Sequence, residues 1–243
     1  MIISRQNSTI KKIRSLSEKK FRDELGLYVA CGEKMSREAF LNAKQVEYVV
    51  CTQKGLSLCE GLAKEPIVVS DDVFKCLSYE VSPQGVLAVI KKPENTLEAP
   101  KGLSVFLDGV SDPANVGAII RTAASAGYND IYLADCADAF SPKSVRASMS
   151  GIYKVNLHVG SREELLKLID CPIIIADMKG ENVFNFQSPQ KFCLVVGNES
   201  HGVSELLRKS ATKTVSIPMK NEMESLNASV SAGILLYYLT LQD

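Results

Sequence analysis

The chain has 243 residues, 46% hydrophobic and 23% charged, enough for one large core or two small ones and too apolar for a disordered chain. Its 28 basic and 28 acidic residues balance, so bulk charge neither demands nor excludes a polyanionic partner. Seven cysteines form no CxxC pair, and the two histidines, His158 and His201, lack ligand-spaced partners, so neither a disulfide framework nor a bound metal is expected.

In chain order, the first feature is basic. From Met1 to Arg22 there are seven cationic side chains against one acid, Glu18. Ile10, Ile13 and Leu16 recur at helical spacing, which predicts an amphipathic helix. Its Lys11, Lys12 and Arg14 either grip phosphate by counterion release or merely face water. "VEYVVCT", "PIVVS" and "QGVLAVIKK" read as strands, "SREAFLNA" and "SDDVFKCLS" as helices, giving a small α/β domain over residues 1–93. The proline-bearing stretch "KKPENTLEAPKG" reads as a join, with residues 94–102 as the linker.

Beyond it the alternation is regular. "LSVFLDGV", "DIYLADC", "CPIIIADM", "KFCLVVG" and "KTVSIPM" read as strands. Between them, "ANVGAIIRTAASAG", "SPKSVRASMSGI", "SREELLKLI" and "HGVSELLRKS" read as helices, Ser161 and Glu164 forming a capping box. Near-continuous Val, Ile and Leu strands predict a parallel sheet covered by helices on both faces, in a domain over residues 103–243. No signal-like start and no long apolar span are present, which places the expected chain in the cytoplasm, away from membranes.

Ligands in such sheets bind beyond the carboxyl ends of the strands, and three segments there are unusual. In "DGVSDPANVGAIIRTA", Asn115 is placed to cap or position, and Arg121 stands amid apolar and small residues; it either serves a site or pairs with Asp108 or Asp112. "VVGNESHG" joins a strand to a helix without the GxGxxG or P-loop fingerprint, and no nucleophile elbow accompanies His201, which reads as a helix-entry residue. In "IPMKNEMESLNASVSAGILLYYL", Ser225 is the expected N-cap and Asn227 presents an amide in the first turn. Ala228, Ser229, Ala232 and Gly233 lower that helix's profile, for tight packing or for a ligand covered by the loop from Pro218 to Glu224.

Taken together, "DPANVGAIIRTA", "VVGNESHG" and "IPMKNEMESLNASVSAG" resemble, in order and spacing, the three motifs of the SpoU (TrmH-like) branch of the SPOUT RNA methyltransferases. "SVRASMSG" is similar to the family's segment between its first two motifs. "SRQNSTIKKIRSL" and "GEKMSREAF" resemble the small substrate-binding domain, related to a ribosomal-protein fold, that many members carry. The resemblance implies transfer of a methyl group from S-adenosyl-L-methionine to a ribose 2′-hydroxyl of structured RNA, ribosomal RNA being favoured over transfer RNA. It also implies a trefoil knot in the C-terminal domain, against the rule that chains rarely knot, and a homodimer through that domain. Carried onto matching positions, Gly197, Ile217, Met219 and Leu226 would contact the cofactor. Asn115, Arg121, Glu199, Ser225 and Asn227 would line the reaction site, and Lys11, Lys12, Arg14 and Arg146 would meet RNA. Asn221 stands where the third motif usually has glycine, and Cys31 where relatives commonly have glutamate.

Three other readings stay open on sequence: a base methyltransferase, a non-catalytic RNA-binding protein on the same scaffold, and a nucleotide-dependent oxidoreductase, the last disfavoured by the missing glycine fingerprint.

Overall fold

The computed structural model describes residues 1–42, 44–221 and 225–241. The chain divides into two compact units, Met1–Pro93 with Phe140–Tyr153, and Glu94–Ala139 with Lys154–Asp243.

The first unit opens with α1 (Ser8–Ser15), capped by Asn7, whose side chain accepts from Thr9 N and Ile10 N. Ile10, Ile13 and Leu16 are fully buried, as the helical spacing predicts. Next come α2 (Lys19–Leu25), β1 (Leu27–Cys31), α3 (Glu33–Leu41), β2 (Val46–Thr52), β3 (Ile67–Val69), α4 (Asp71–Lys75) and β4 (Val86–Lys91). The sheet order is β1-β4-β2-β3, with β4 antiparallel to both neighbours and β2 parallel to β3. One cation of the basic segment is structural: Arg22 is buried and donates to Leu16 O and Ser17 O, each at 2.8 Å.

The second unit begins with β5 (Ser104–Asp108), α5 (Pro113–Ser125) and β6 (Asp130–Ala134). The chain then contributes α6 (Pro142–Ser148) and a 3₁₀ turn through Tyr153 to the first unit. The stretch 140–153, expected in the C-terminal domain, groups with Met1–Pro93 in the first compact unit. Tyr153 Oη ties it down by donating to Met35 O at 3.1 Å, and Phe140 sits 5.0 Å from the Tyr28 ring.

The second unit resumes with β7 (Asn156–Val159), α7 (Arg162–Leu166), β8 (Ile173–Asn182), β9 (Cys193–Gly197), α8 (Glu205–Ser210), β10 (Lys213–Ser216) and α9 (Ala228–Thr240). Six parallel strands form one sheet in the order β10-β8-β9-β5-β6-β7. Side chains alternate between faces. Phe106, Tyr132, Ile175 and Val195 pack under Leu165 of α7 and Leu207 of α8. The alternate set, including Val105, Leu107, Leu194 and Val196, is equally buried on the other face, where α9 packs on β9 and α5. Tyr128 Oη donates to Leu236 O at 3.3 Å and locks α9 in place.

The linker is fastened to this sheet's edge. Asn95 exchanges two hydrogen bonds with Val159, Nδ2 to O at 2.8 Å and N to Oδ1 at 2.9 Å. Tyr132 Oη donates to Glu98 O, and buried His158 bridges Thr96 O and Asp130 Oδ1. Burial opposes ionisation of Asp130, but hydrogen bonds from Asn156, His158 and Lys101 N prevail and hold its pKa below the ordinary value. No helix among the described residues is long and apolar enough to cross a membrane.

Candidate active site

β5 and β9 lie side by side and end together, Asp108 paired with Gly197. The buried Asp108 carboxylate accepts from Arg162 Nε at 2.5 Å and from Ser204 N at 2.6 Å, anchoring the starts of α7 and α8 to the strand end. Asp108 is thus already engaged, and Arg121 makes no ion pair among the described residues, which removes the structural pairing considered for it.

After Gly197 the chain folds tightly. Asn198 and Gly202 exchange backbone hydrogen bonds at 3.0 and 2.9 Å, and Asn198 Oδ1 accepts from Ser200 N and His201 N. Asn198 Nδ2 donates to Gly109 O at 2.7 Å, joining the loops after β5 and β9. A β-carbon on Gly197 would lie 2.4 Å from Gly202 C and 2.5 Å from Val203 N, so only glycine permits this fold-back. His201 is an exposed member of the turn before α8, as its sequence context suggests.

Three distant segments meet here through side chains. Glu199 Oε1 accepts from Asn115 Nδ2 at 2.9 Å, and Asn115 Oδ1 accepts from Asn227 Nδ2 at 3.1 Å. The other oxygen, Glu199 Oε2, accepts from Ser111 Oγ at 3.2 Å. Burial opposes the charge on Glu199, but the Asn115 and Ser111 hydrogen bonds outweigh it, so its pKa lies below the ordinary value. Asn115 is buried and serves this chain of amides, while Asp112 caps α5 by accepting from Ala114 N.

Asn227, not the expected Ser225, caps α9: its Oδ1 accepts from Ser229 N and Val230 N, and the helix starts at Ala228. Asn227 is extended (ψ 142°) and so meets the N-cap geometry two residues later than the serine. Asn221 adopts φ 57°, a left-handed conformation open to asparagine, in the position that usually takes glycine. Of the loop expected to cover a ligand, residues 222–224 lie outside the described ones.

A cavity of about 450 Å³ opens beside these groups. Gly197, Ile217, Met219 and Leu226 all line it, as do Glu199 and Ser225. Ala228 and Ser231 form part of its wall, whereas Gly233 turns to α5, where a β-carbon would lie 3.8 Å from Thr122 Cγ2. The small residues therefore serve both a ligand space and a helix contact. Asn115 and Asn227 join Glu199 by hydrogen bonds; Arg121 is exposed on α5 and outside that group.

Sequence reasoning missed several residues here. Asn198 stitches the two loops. Asp177, on the cavity wall, pairs with Arg208 at 2.5 Å; burial opposes its ionisation, yet Lys179 N and Arg208 lower its pKa. Its position follows from an irregularity in β8: Thr214 pairs with Ile175 but Val215 with Glu181, so residues 176–180 bulge out of the ladder. Gly180 marks the spot, since its β-carbon would meet Val215 C at 2.4 Å, and an isolated glycine in a strand pattern was the one available signal.

A parallel α/β sheet with a glycine-turned cavity at its carboxyl edge, walled by polar side chains from three loops, defines an enzyme-type domain for a medium-sized ligand. The chain belongs to the SpoU rRNA Methylase family, whose model matches residues 102–237. Residues 7–88 match the MRM3-like substrate binding domain. The 23S rRNA (guanosine(2553)-2′-O)-methyltransferase RlmP of Bacillus subtilis is 29% identical over 98% of both chains. The 23S rRNA (uridine(2479)-2′-O)-methyltransferase of Streptomyces viridochromogenes is 33% identical over 74% of this chain and 68% of its own. Among solved structures, the AdoMet-bound rRNA methyltransferase from Sinorhizobium meliloti superposes with a TM-score of 0.87 at 26% identity, covering 98% of this chain and 96% of that one.

Proposed function

We propose that the protein transfers a methyl group from S-adenosyl-L-methionine to a ribose 2′-hydroxyl of ribosomal RNA. The observation that carries this reading is the Glu199–Asn115–Asn227 chain of hydrogen bonds beside the cavity, in a chain of this family whose relatives are named for that reaction.

The cavity fits the cofactor. Its volume of about 450 Å³ lies in the range for such ligands. Val196, Ile217, Leu226 and Leu235 offer apolar surface for a purine, and the Gly197–Gly202 turn brings backbone polar groups to its edge. When bound, S-adenosylmethionine supplies an electrophilic methyl group whose sulfur leaves as a neutral thioether, so no protein acid is required.

The chain's own task is to align the ribose hydroxyl and ease the loss of its proton. The hydrogen bonds that Glu199 accepts from Asn115 and Ser111 lower its pKa and make it a weak base, so it serves as a positioning residue that holds the Asn115 amide. Arg121, with a guanidinium pKa above ~12, is a poor base. Exposed, and without an ion pair among the described residues, it clamps the phosphate beside the target and stabilises developing alkoxide charge. Ser225 closes the site from the third loop.

In the first unit, exposed Lys11 and Arg14, with Lys12 over the Tyr48 ring, grip the RNA, joined by exposed Arg146. The C-terminal domain carries the family's trefoil knot and forms a homodimer; Val230, Tyr237 and Leu241, exposed apolar side chains on and just after α9, support that contact. The protein works in the cytoplasm, where its RNA is.

The test is methyl transfer from labelled S-adenosylmethionine to bacterial total RNA, followed by nucleoside mass spectrometry. A 2′-O-methyl nucleoside from ribosomal RNA supports the reading. A ring-methylated base replaces it with base methylation, and neither transfer nor cofactor binding leaves only an RNA-binding protein.

A further inference from the structure

We propose that a second cavity, wholly within the first unit, receives one unstacked guanine base of the RNA substrate, at a nucleotide other than the one methylated. This rests on the methyltransferase reading above and extends it to how the RNA is chosen.

The cavity is about 150 Å³, room for one planar base. Strand β1 contributes Val29, helix α3 contributes Met35, and the inserted stretch contributes Val145 and Met149. The two thioethers offer soft, polarizable contacts to an aromatic ring. Three features mark the cavity as more than a packing gap.

First, Glu80 lines it, and Glu80 Oε2 is buried with no hydrogen-bond partner among the described residues. Nearly all buried polar atoms are paired, so a carboxylate on a cavity wall with one oxygen unpaired calls for a donor from outside. Second, the backbone is shaped around that carboxylate. Gly32 adopts φ 94°, and a β-carbon there would lie 3.0 Å from Gln84 Oε1 and 3.7 Å from Glu80 Oε1. Gln84 is itself fixed, accepting from Glu33 N at 2.9 Å. Third, Met149 holds φ 48° and ψ −145°, a strained conformation for a residue with a side chain. It is the C-cap of α6, in whose last turn Ser148 Oγ donates to Val145 O at 2.8 Å.

The donor set selects the base. A carboxylate matches an edge with two adjacent N–H groups, and guanine alone presents one, through N1 and N2. Adenine and cytosine place an acceptor beside their amino group, and uracil flanks its single N–H with carbonyls that would face the carboxylate. RNA is read in this manner, by splayed bases held on their Watson–Crick edges. Arg146 and Lys34 line the same cavity and are exposed, placed to hold the flanking phosphates.

The experiment uses the full chain labelled with ¹³C-methyl methionine and titrates GMP, AMP, CMP and UMP separately. Met35 and Met149 report this cavity, Met178 and Met219 the larger one. The expected result is a saturable shift of the Met35 and Met149 methyls with GMP, about tenfold weaker or absent with the other three. Glu80→Gln weakens the GMP response about tenfold while S-adenosylmethionine still shifts Met178 and Met219, which shows the variant folded. As a check on RNA, Arg146→Ala raises KM for ribosomal RNA several-fold more than it lowers kcat. Equal response to all four nucleotides, no response of Met35 and Met149, or an unchanged GMP response in Glu80→Gln overturns the proposal. If GMP shifts Met35 and Met149 but S-adenosylmethionine shifts neither Met178 nor Met219, the guanine pocket stands and the methyltransferase reading falls.

Discussion

Asn227 donates its side-chain amide to Asn115 Oδ1 at 3.1 Å, while its own Oδ1 caps α9 by accepting from Ser229 N and Val230 N. The cap decides which end of the Asn227 amide faces the helix, and so its Nδ2 must face Asn115. That in turn commits Asn115 to present Nδ2 to Glu199, at 2.9 Å. The polarity of the whole chain of amides is therefore fixed from both ends, by the helix start and by the acceptor-only Glu199 carboxylate.

Asn227→Asp separates the two roles. Aspartate is as good an N-cap as asparagine, so thermal unfolding should change by no more than about 1 kcal/mol. The donor to Asn115 is lost, and single-turnover methyl transfer should fall about 100-fold, on the order of the loss of one oriented donor. An unchanged rate would remove Asn227 from the site.

Glu199 should titrate below the ordinary glutamate value of 4.5, because the Asn115 and Ser111 bonds favour its charged form over the cost of burial. The sign follows from the depressed folded value: the stabilisation is full above the unfolded pKa and is lost as pH falls through the folded one. A ¹³C carboxyl titration checks the midpoint, and Asn115→Ala should move it upward. A midpoint at or above the ordinary value would mean these bonds do not persist in solution.

Gly197→Ala should cripple cofactor binding. The added methyl meets backbone of Gly202 and Val203 at 2.4 and 2.5 Å, with no flexible side chain to yield. Forced overpacking of this kind costs about 1–3 kcal/mol, so calorimetry should find S-adenosylmethionine binding weakened tenfold or more. Wild-type affinity would show that the turn opens freely.

Arg121→Lys should keep cofactor affinity and lose turnover, since the side chain is exposed and outside the hydrogen-bonded group. A lysine keeps the charge but not the two-pronged geometry for phosphate. Near-full kcat would refute the clamp.

Replacing Lys11, Lys12 and Arg14 by Ala should flatten the salt dependence of RNA binding by roughly 0.9 in log–log slope for each phosphate left unneutralised. Arg22→Lys, by contrast, should lower stability without touching that slope, because its guanidinium donates to Leu16 O and Ser17 O inside the unit. Filter binding across a salt series distinguishes the two.

Much of this architecture was legible in the residues. Val- and Leu-rich runs separated by capped helices, Ser161 with Glu164 among them, announce a parallel sheet, and the three polar segments fall at its edge. Short strands were less legible: Leu27–Cys31 follows a helix with only Gly26 between them, and Asn156–Val159 is an edge strand of four residues with exposed ends. Nor could local pattern reveal that Phe140–Tyr153 packs with the first unit, since this depends on Tyr153 reaching Met35, 118 residues away. Arg121 looked able to pair with Asp108, yet Arg162, 54 residues beyond that aspartate, holds it instead. Side-chain partners at such separations leave no periodic trace.

The amide chain from Glu199 through Asn115 to Asn227 joins parts of the polypeptide made at quite different times. A chain still emerging from the ribosome can complete β5, α5 and β9, yet until residue 227 arrives the Asn115 amide is held from the Glu199 side alone. Competence to react is thus acquired late in synthesis and as a single event, so that fragments interrupted upstream of α9 can meet RNA through their first unit without being able to modify it.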